Sequence, residues 1–255
     1  MKIRYVTPDG HEITLIKAGS HPQAIAYGGI TGFVGNPTAS SATAVGVPGE
    51  TLTNWSIPKM TGELTLHIDY GPEFPPVQKI ASLIRRGFHP TREGTLFLDP
   101  EDGRPEYSTP VCRNGVIAPP VEVLSEASYA EMKIPLQSRI GGWLEHSSHQ
   151  SGTVTVTNHG DAFLWPEIYI HGPSSIKLPS GITYTLPNLP GARLSLDPYT
   201  SHEVILDDGT VAEDASALTS KMFLGEGVPE LSSRTYTLTG DATLISRTFV
   251  LDPWG

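Results

Sequence analysis

The residue types able to do chemistry fall into a few groups, and none has the spacing that the chemistry needs. His146 and His149, with His159 and His171 downstream, carry imidazoles that ligate zinc when three or four donors converge. A His-x-x-His pair converges only where a helix or tight turn aims both rings. Here the pair lies in His146-Ser147-Ser148-His149-Gln150-Ser151-Gly152, which reads as a polar linker with solvated histidines. Glu203, Asp207, Asp208, Glu213 and Asp214 crowd a short span that calcium or paired-carboxylate chemistry would favour. The ligand order of an EF-hand is missing, so the span reads as an acidic hairpin and loop. No serine sits in a Gly-x-Ser-x-Gly elbow, and the run from Gly29 to Gly35 matches neither the dinucleotide nor the Walker phosphate loop. Cys112 is the one cysteine, which excludes an intrachain disulfide and a Cys-based zinc site and reads as a buried thiol. The expectation is a protein with no catalytic, cofactor-binding or metal-binding residues.

Charge narrows the partners. The 255 residues carry a formal net charge of −10, which argues against general binding to nucleic acid or an anionic membrane, since both select a basic face. The surplus is uneven: residues 1–143 hold 12 basic and 14 acidic side chains, residues 144–255 hold 5 and 13. The longest stretch without Asp, Glu, Lys or Arg, Ala18 to Gly49, contains Pro22, Pro37 and Pro48 and many Gly, Ser and Thr, which rules out a spanning helix. The opening residues Met1 to Val6 alternate like a strand and lack the apolar core of a cleaved signal.

The elements that must position these residues are mostly strands. Period-two patterns recur in Glu63–Ile68, Gly152–Thr157 and Arg193–Leu196, each bounded by turn residues. Asp9-Gly10 and Asp208-Gly209 stand where hairpin turns want positive φ. One segment differs. From Pro75 to Gly87 apolar residues fall at 77, 80, 81 and 84, with proline at the start and glycine at the end, which predicts a single amphipathic helix whose last turn holds Arg85 and Arg86. Gly28 to Pro48 shows no sustained period and reads as a long loop or arm. The Gly141-Gly142 pair and the polar run after it suggest a boundary between residues 1–143 and 144–255.

Taken together, these segments resemble the distal tail protein family of long-tailed, non-contractile bacteriophages, also known as siphovirus tail component or minor tail protein. The first part is similar to its belt domain: the Ile3 to Leu15 hairpin, a long loop, the strand Gly62 to Ile68, the helix Val77 to Arg86, then Gly94 to Leu98. The second part resembles its galectin-like β-sandwich through Val156 to Ala162, then Trp165 to Pro173 with a Gly-Pro stop, then Leu194 to Asp197. Arg234 to Leu238 and Ser246 to Trp254 look like its final hairpin, although Gly227-Val228-Pro229-Glu230 replaces the usual Pro-Gly turn.

The resemblance implies a mainly β fold: a β-sandwich-like belt domain with one α-helix, then a galectin-like β-sandwich. It implies a non-enzymatic virion protein at the tail tip, assembled in the host cytoplasm as a homohexameric ring. Such a ring joins the tail tube to the baseplate hub or tail fibre and meets the tape measure, with no cofactor. Arg85, Arg86 and Arg92 are the candidate inter-subunit or partner contacts. The rival reading is a carbohydrate-binding β-sandwich module, with Trp143, Trp165 and Trp254 as stacking platforms.

Overall fold

A computed structural model describes residues 1–17, 25–43, 48–69, 77–118, 129–199, 203–216 and 225–254. It is mainly β, as the period-two patterns demand, and divides into two compact units: Met1–Trp143 with Leu251–Gly255, and Leu144–Val250. The last five residues therefore belong to the first unit, not to the second as the sequence reading placed them. Backbone and ring contacts hold them there: the Gly35 amide donates to the Leu251 carbonyl at 2.7 Å, and Trp254 meets Trp143 edge-on at 6.2 Å.

In the first unit, β1 (Lys2–Val6), β2 (Glu12–Lys17), β3 (Ile25–Gly32), β6 (Met60–Asp69), β7 (Gly94–Asp99), β8 (Tyr107–Arg113) and β9 (Tyr129–Ser138) follow one closed path. The order is β8-β7-β1-β2-β3-β6-β9, and β9 returns to β8 through Cys112↔Gln137 and Arg113↔Leu136. Every pairing is antiparallel except β2 with β3. Alternate residues point inward and are buried: Ile3 and Tyr5, Leu64, Leu66 and Ile68, Leu96 and Leu98, Met132, Ile134 and Leu136. Each such side chain taken out of water contributes roughly 1.5–3 kcal/mol.

The predicted helix is α1 (Val77–Gly87), and its buried residues are the periodic set Val77, Ile80, Ala81 and Ile84. The expected start at Pro75 lies outside the described residues. Just beyond its end, Phe88 stacks on Tyr5 with centroids 4.0 Å apart, while the Tyr5 hydroxyl donates to the Gly87 carbonyl at 3.1 Å. A Cβ at Gly94 would lie 2.3 Å from that hydroxyl, so only glycine lets β7 pass. Burial pushes the Tyr5 phenol above its ordinary pKa, and Cys112 adds to the shift.

Gly28 to Pro48 is not a loop throughout. Its beginning is the end of β3, and Thr38–Ala42 (β4) pairs with Thr51–Ser56 (β5) as a separate two-stranded sheet, with residues 44–47 outside the described set. Ser and Thr are tolerated in exposed strands, and a hairpin with no buried face carries no hydrophobic period by which to recognise it.

The second unit is built on two long strands, β10 (Trp143–Asn158) and β15 (Ser232–Val250), with β11 (Glu167–Lys177), β12 (Thr183–Thr185), β13 (Ala192–Ser195) and β14 (Val204–Leu206). The order is β14-β13-β11-β15-β10, with β12 also on β11. Three sequence readings change here. The polar run after Trp143 is no linker, because residues 146–152 are the middle of β10. Gly172-Pro173 is no stop: β11 runs through it with a bulge between Ile170 and Ser174. A bulge is where a strand tolerates the missing proline N–H. The final hairpin is one 19-residue strand, β15. Gly240, at φ +91°, faces the bulge rather than turning the chain, and a Cβ there would lie 2.2 Å from the Pro173 carbonyl oxygen. The long strand runs on through that point instead of ending.

Asn158 organises the Asn-x-Gly-Asp-Ala turn from full burial. Its Oδ1 accepts from the Gly160 amide at 3.0 Å, and its Nδ2 donates to the carbonyls of Ala162 and Val228, both at 2.9 Å. On the exposed face, hydroxyl pairs Thr153–Thr237, Thr155–Thr235 and Thr157–Ser233 run between β10 and β15. Inside, Ile168, Ile170, Leu194, Leu238 and Leu244 belong to one buried cluster, and Tyr236 joins it while its hydroxyl donates to the Glu226 carbonyl at 2.8 Å.

Because the second unit has its own core, residues 144–250 expressed alone should give a soluble, cooperatively melting β domain, with circular dichroism as the check; an unfolded product counts against this boundary. A second expectation follows from the phenols. Burial raises the pKa of both Tyr5 and Tyr236. They stay neutral in the folded chain while the unfolded chain ionises above its ordinary value of about 10. Stability is therefore unaffected by them below about pH 10 and falls as pH rises further. Tyr5→Phe should flatten that alkaline loss in denaturant titrations, at a cost of about 1 kcal/mol at neutral pH for the lost hydrogen bond.

Candidate assembly surfaces

The chemistry-bearing residues do not converge. His146 and His149, three apart on β10, point to opposite faces of the strand. His159 binds Glu145 at 2.8 Å and His171 binds Thr243 at 2.9 Å. The acidic span splits in the same way. Asp207 accepts from the Tyr169 hydroxyl at 2.6 Å, which holds that phenol above its ordinary pKa. Asp208 accepts from the hydroxyl and amide of Thr210, which hold its carboxyl below the usual range. Among the described residues no three His, Cys, Asp or Glu side chains gather as a metal set, and no helix is long and apolar enough to cross a membrane. Cys112 is buried and accepts from the Gln137 amide at 3.5 Å.

The geometry instead presents surfaces. The first is the β4–β5 hairpin. Its described side chains are all exposed, Trp55 at 49%. It carries no ionised side chain within either strand, and its own bonds are few: Thr53 to the Ser40 carbonyl at 3.0 Å, Thr38 to Ser56 at 3.0 Å, and Ser41 to Glu50. A two-stranded hairpin of exposed side chains is marginal in water by itself, and among the described residues neither of its edges pairs with a further strand.

What aims this hairpin is a locked root. Phe33 sits at φ +57°, in the left-handed region that a bulky residue rarely occupies. Its amide donates to the Thr61 carbonyl at 3.1 Å, its carbonyl accepts from the Trp143 indole at 2.8 Å, and its ring meets Trp143 edge-on at 6.1 Å. Strain of about 1–3 kcal/mol persists only where the surroundings over-determine it, as they do here. Trp143 is fully buried and Trp254 packs against it. Trp143 is thus part of the arm's root rather than a stacking platform for a sugar, and Trp254, half-buried, packs edge-on against it. Indole size and the N–H donor made them look like platforms in the sequence, where burial is invisible.

The second surface is the outer side of α1. Arg85 and Arg86 are exposed in its last turn and have no ion pair among the described residues. Arg92, in the connection to β7, is not grouped with them: it holds Asp9 at 2.7 Å. Lys79, Ser82, Leu83 and Arg86 flank a shallow groove of about 410 Å³, and Leu83 is 57% exposed. The signal for this surface was in the sequence, since positions 79, 82, 83 and 86 repeat at helical spacing opposite the buried stripe.

The third is an end of the second unit where Phe163, Trp165 and Tyr199 cluster, with centroids 4.5 and 6.4 Å apart along the series and Tyr199 90% exposed. Gly227 runs beneath: a Cβ there would lie 2.4 Å from the Phe163 ring and 2.6 Å from Trp165. Of the three tryptophans singled out in the sequence, only Trp165 lies in such an exposed aromatic group.

No family model and no curated protein sequence matches this chain. Solved structures do. The crystal structure of SPP1 Dit (gp 19.1), described as a paradigm of hub adsorption apparatus in Gram-positive infecting phages, is similar with a TM-score of 0.57. Identity is 11%, and the match covers 98% of this chain and 99% of that one. The phage P2 baseplate in its activated conformation with Ca is similar at 0.54 and 9% identity, over 97% of each chain. The same baseplate with Sr gives 0.54 and 9%, over 97% of this chain and 98% of that one. At such identities the likeness is one of fold, and it runs nearly end to end.

Phe33→Ala should lower the stability of the chain by about 3–5 kcal/mol, from a lost core ring and the cavity it leaves. Chemical denaturation measures this, and a change below about 1 kcal/mol would mean the root is not a packing anchor.

Proposed function

We propose that this protein is a structural component of a bacteriophage tail tip, a distal-tail-type hub that forms a ring between the tail tube and the baseplate hub or tail fibre. The observation that carries the reading is the end-to-end fold likeness to phage hub and baseplate proteins, covering both units and 98% of the chain in the SPP1 Dit comparison. The arm supports it from physics. A hairpin whose described side chains are all exposed, rooted at a strained and packed residue, gains burial when another surface covers it, and a repeated contact of this kind closes a ring.

In this reading the first unit builds a homohexameric ring, and the partners are further copies, the tail tube, the tape measure and the hub or fibre. The protein is placed in the virion after assembly in the host cytoplasm. Its work is done by surface complementarity, without catalysis, metal or cofactor. Residues that bind through shape need no perturbed pKa values, and His159, His171, Asp207 and Asp208 are each engaged locally rather than turned toward a common point.

Light scattering and native mass measurement at tens of micromolar, with and without a tail-tube protein, should show a closed oligomer; a strict monomer under every condition counts against the reading. Metal content and thermal melts test the absence of a cation role. A site filled at a hundred times its Kd adds about 2.7 kcal/mol, a shift of several degrees in a chain of this size. The expected result is a melt unmoved by chelator or calcium. A chelator-induced drop that Asp207→Asn with Asp208→Asn abolishes would establish a calcium site instead.

A further inference from the structure

One strand of the second unit carries aromatic and polar side chains along a single outward face. Leu164, Pro166, Ile168 and Ile170 are buried, so the intervening Trp165, Glu167, Tyr169 and His171 lie on the other side of β11 and of the segment leading into it. The neighbouring strands complete that face. Register sets Arg193 and Thr243 on either side of Tyr169, and Ser195 and Ile245 on either side of Glu167. The Leu196 amide donates to the Pro166 carbonyl at 2.9 Å, which continues β13 past the start of β11, and Tyr199 beyond it meets Trp165 edge-on.

The face has an aromatic end and a polar end. Trp165 and Tyr199 form the first, and the Tyr199 amide donates to Asp197 Oδ1 at 2.9 Å, which fixes the backbone under a ring that is 90% exposed. At the second, the Tyr169 hydroxyl donates to Asp207, the Arg193 guanidinium lies 5.5 Å from the Tyr169 ring centre and 3.8 Å from Asp207, and His171 stands edge-on at 4.7 Å with a hydrogen bond to Thr243. Glu167 and Arg247 pair between the two ends. These contacts hold the polar groups in place without exhausting them, since a guanidinium has more donors and a carboxylate more acceptor positions than are used here.

We propose that this face binds an uncharged oligosaccharide. A pyranose ring presents a flat C–H face, which packs on an indole or phenol ring, and a rim of hydroxyls that both donate and accept. Exposed aromatic rings beside pre-oriented charged groups meet both requirements. The charge balance selects against an anionic chain: Glu167 with Arg247 and Asp207 with Arg193 cancel, while Asp197 and Asp241 add carboxylates at the two ends. Area selects against a folded protein. Three strands wide and running from Trp165 to His171, the face measures about 10 by 20 Å, roughly 200 Å², whereas a standard protein–protein interface takes about 800 Å² from each partner. A single chain of sugars matches those dimensions. The inference uses the second unit alone and does not rest on the ring reading.

The test is isothermal titration of the full chain with maltotetraose, cellotetraose, chitotetraose and a β-galactose-terminated tetrasaccharide, with sulfated dextran as the anionic arm and thermal melts to confirm folding. At least one of the four tetrasaccharides should bind saturably, and sulfated dextran should not. Tyr199→Ala and Arg193→Ala, both at exposed positions, should each raise the Kd about tenfold. Trp165→Ala should weaken binding at least as much, and where it does not fold the two exposed variants carry the test. Thr155→Ala, on β10 and outside the strip, should leave the Kd unchanged. The site is overturned if none of the four tetrasaccharides binds, or if binding survives both Tyr199→Ala and Arg193→Ala unaltered. Binding of sulfated dextran that those variants abolish overturns the commitment to an uncharged ligand. Any of these failures leaves the tail-tip reading standing, and a chain that never forms a ring leaves this site standing.

Discussion

The first unit depends on the closing of its sheet. A seven-stranded path with free ends would expose two full edges of unpaired amides and carbonyls, an invitation to indiscriminate pairing. The short register Cys112↔Gln137 and Arg113↔Leu136 joins β8 to β9 over two residue pairs and so ties the two ends of the path together. Closure also defines an inside, so the alternation in β1, β6, β7 and β9 becomes a packed core. Tyr5 is fully buried there, stacked on Phe88, where burial disfavours its phenolate. Among the described residues the β4–β5 hairpin forms a sheet of its own, and Phe33 and Trp143 anchor the chain where it leaves β3.

The second unit uses a different device. The bulge between Ile170 and Ser174 opposite Gly240 shifts the register, and β11 and β15 stay paired on both sides of it. β11 pairs with β13 before the bulge and with β12 after it. Asn158 then ties three backbone groups of the neighbouring turn and of the 228 segment together from full burial. A buried amide that satisfies both its donors and its acceptor rigidifies a turn in a way that packing alone does not. The outward faces are left to hydroxyl ladders and to ion pairs such as Arg247 with Glu167.

These two solutions bear on function in the same way. Neither unit encloses titratable groups in a common cleft among the described residues. Both instead hold particular features outward: an uncharged hairpin, a basic helix face, an acidic hairpin with two exposed aliphatic residues, and an aromatic cluster. Rigid scaffolds that hold features outward in this way suit the assembly role proposed above.

The sequence by itself determined the elements whose one face is buried. The period of two in Glu63–Ile68 and Gly94–Leu98, the helical period from Val77 to Ile84, the hairpins at Gly10 and Gly209, and the overall β class are local records of burial, and the family resemblance rested on them. It did not determine what depends on partners distant in the chain. A polar strand such as residues 146–152 looks like a linker until β15 lies beside it. Gly172-Pro173 and Gly240 look like ends until each is seen opposite the other. Trp143 looks like a platform until it is seen fully buried against Phe33. The β4–β5 hairpin leaves no periodic signal because its described side chains are all exposed. Hydrophobic periodicity reports whether a face is covered, not which residues cover it, and only the tertiary structure decided the second question.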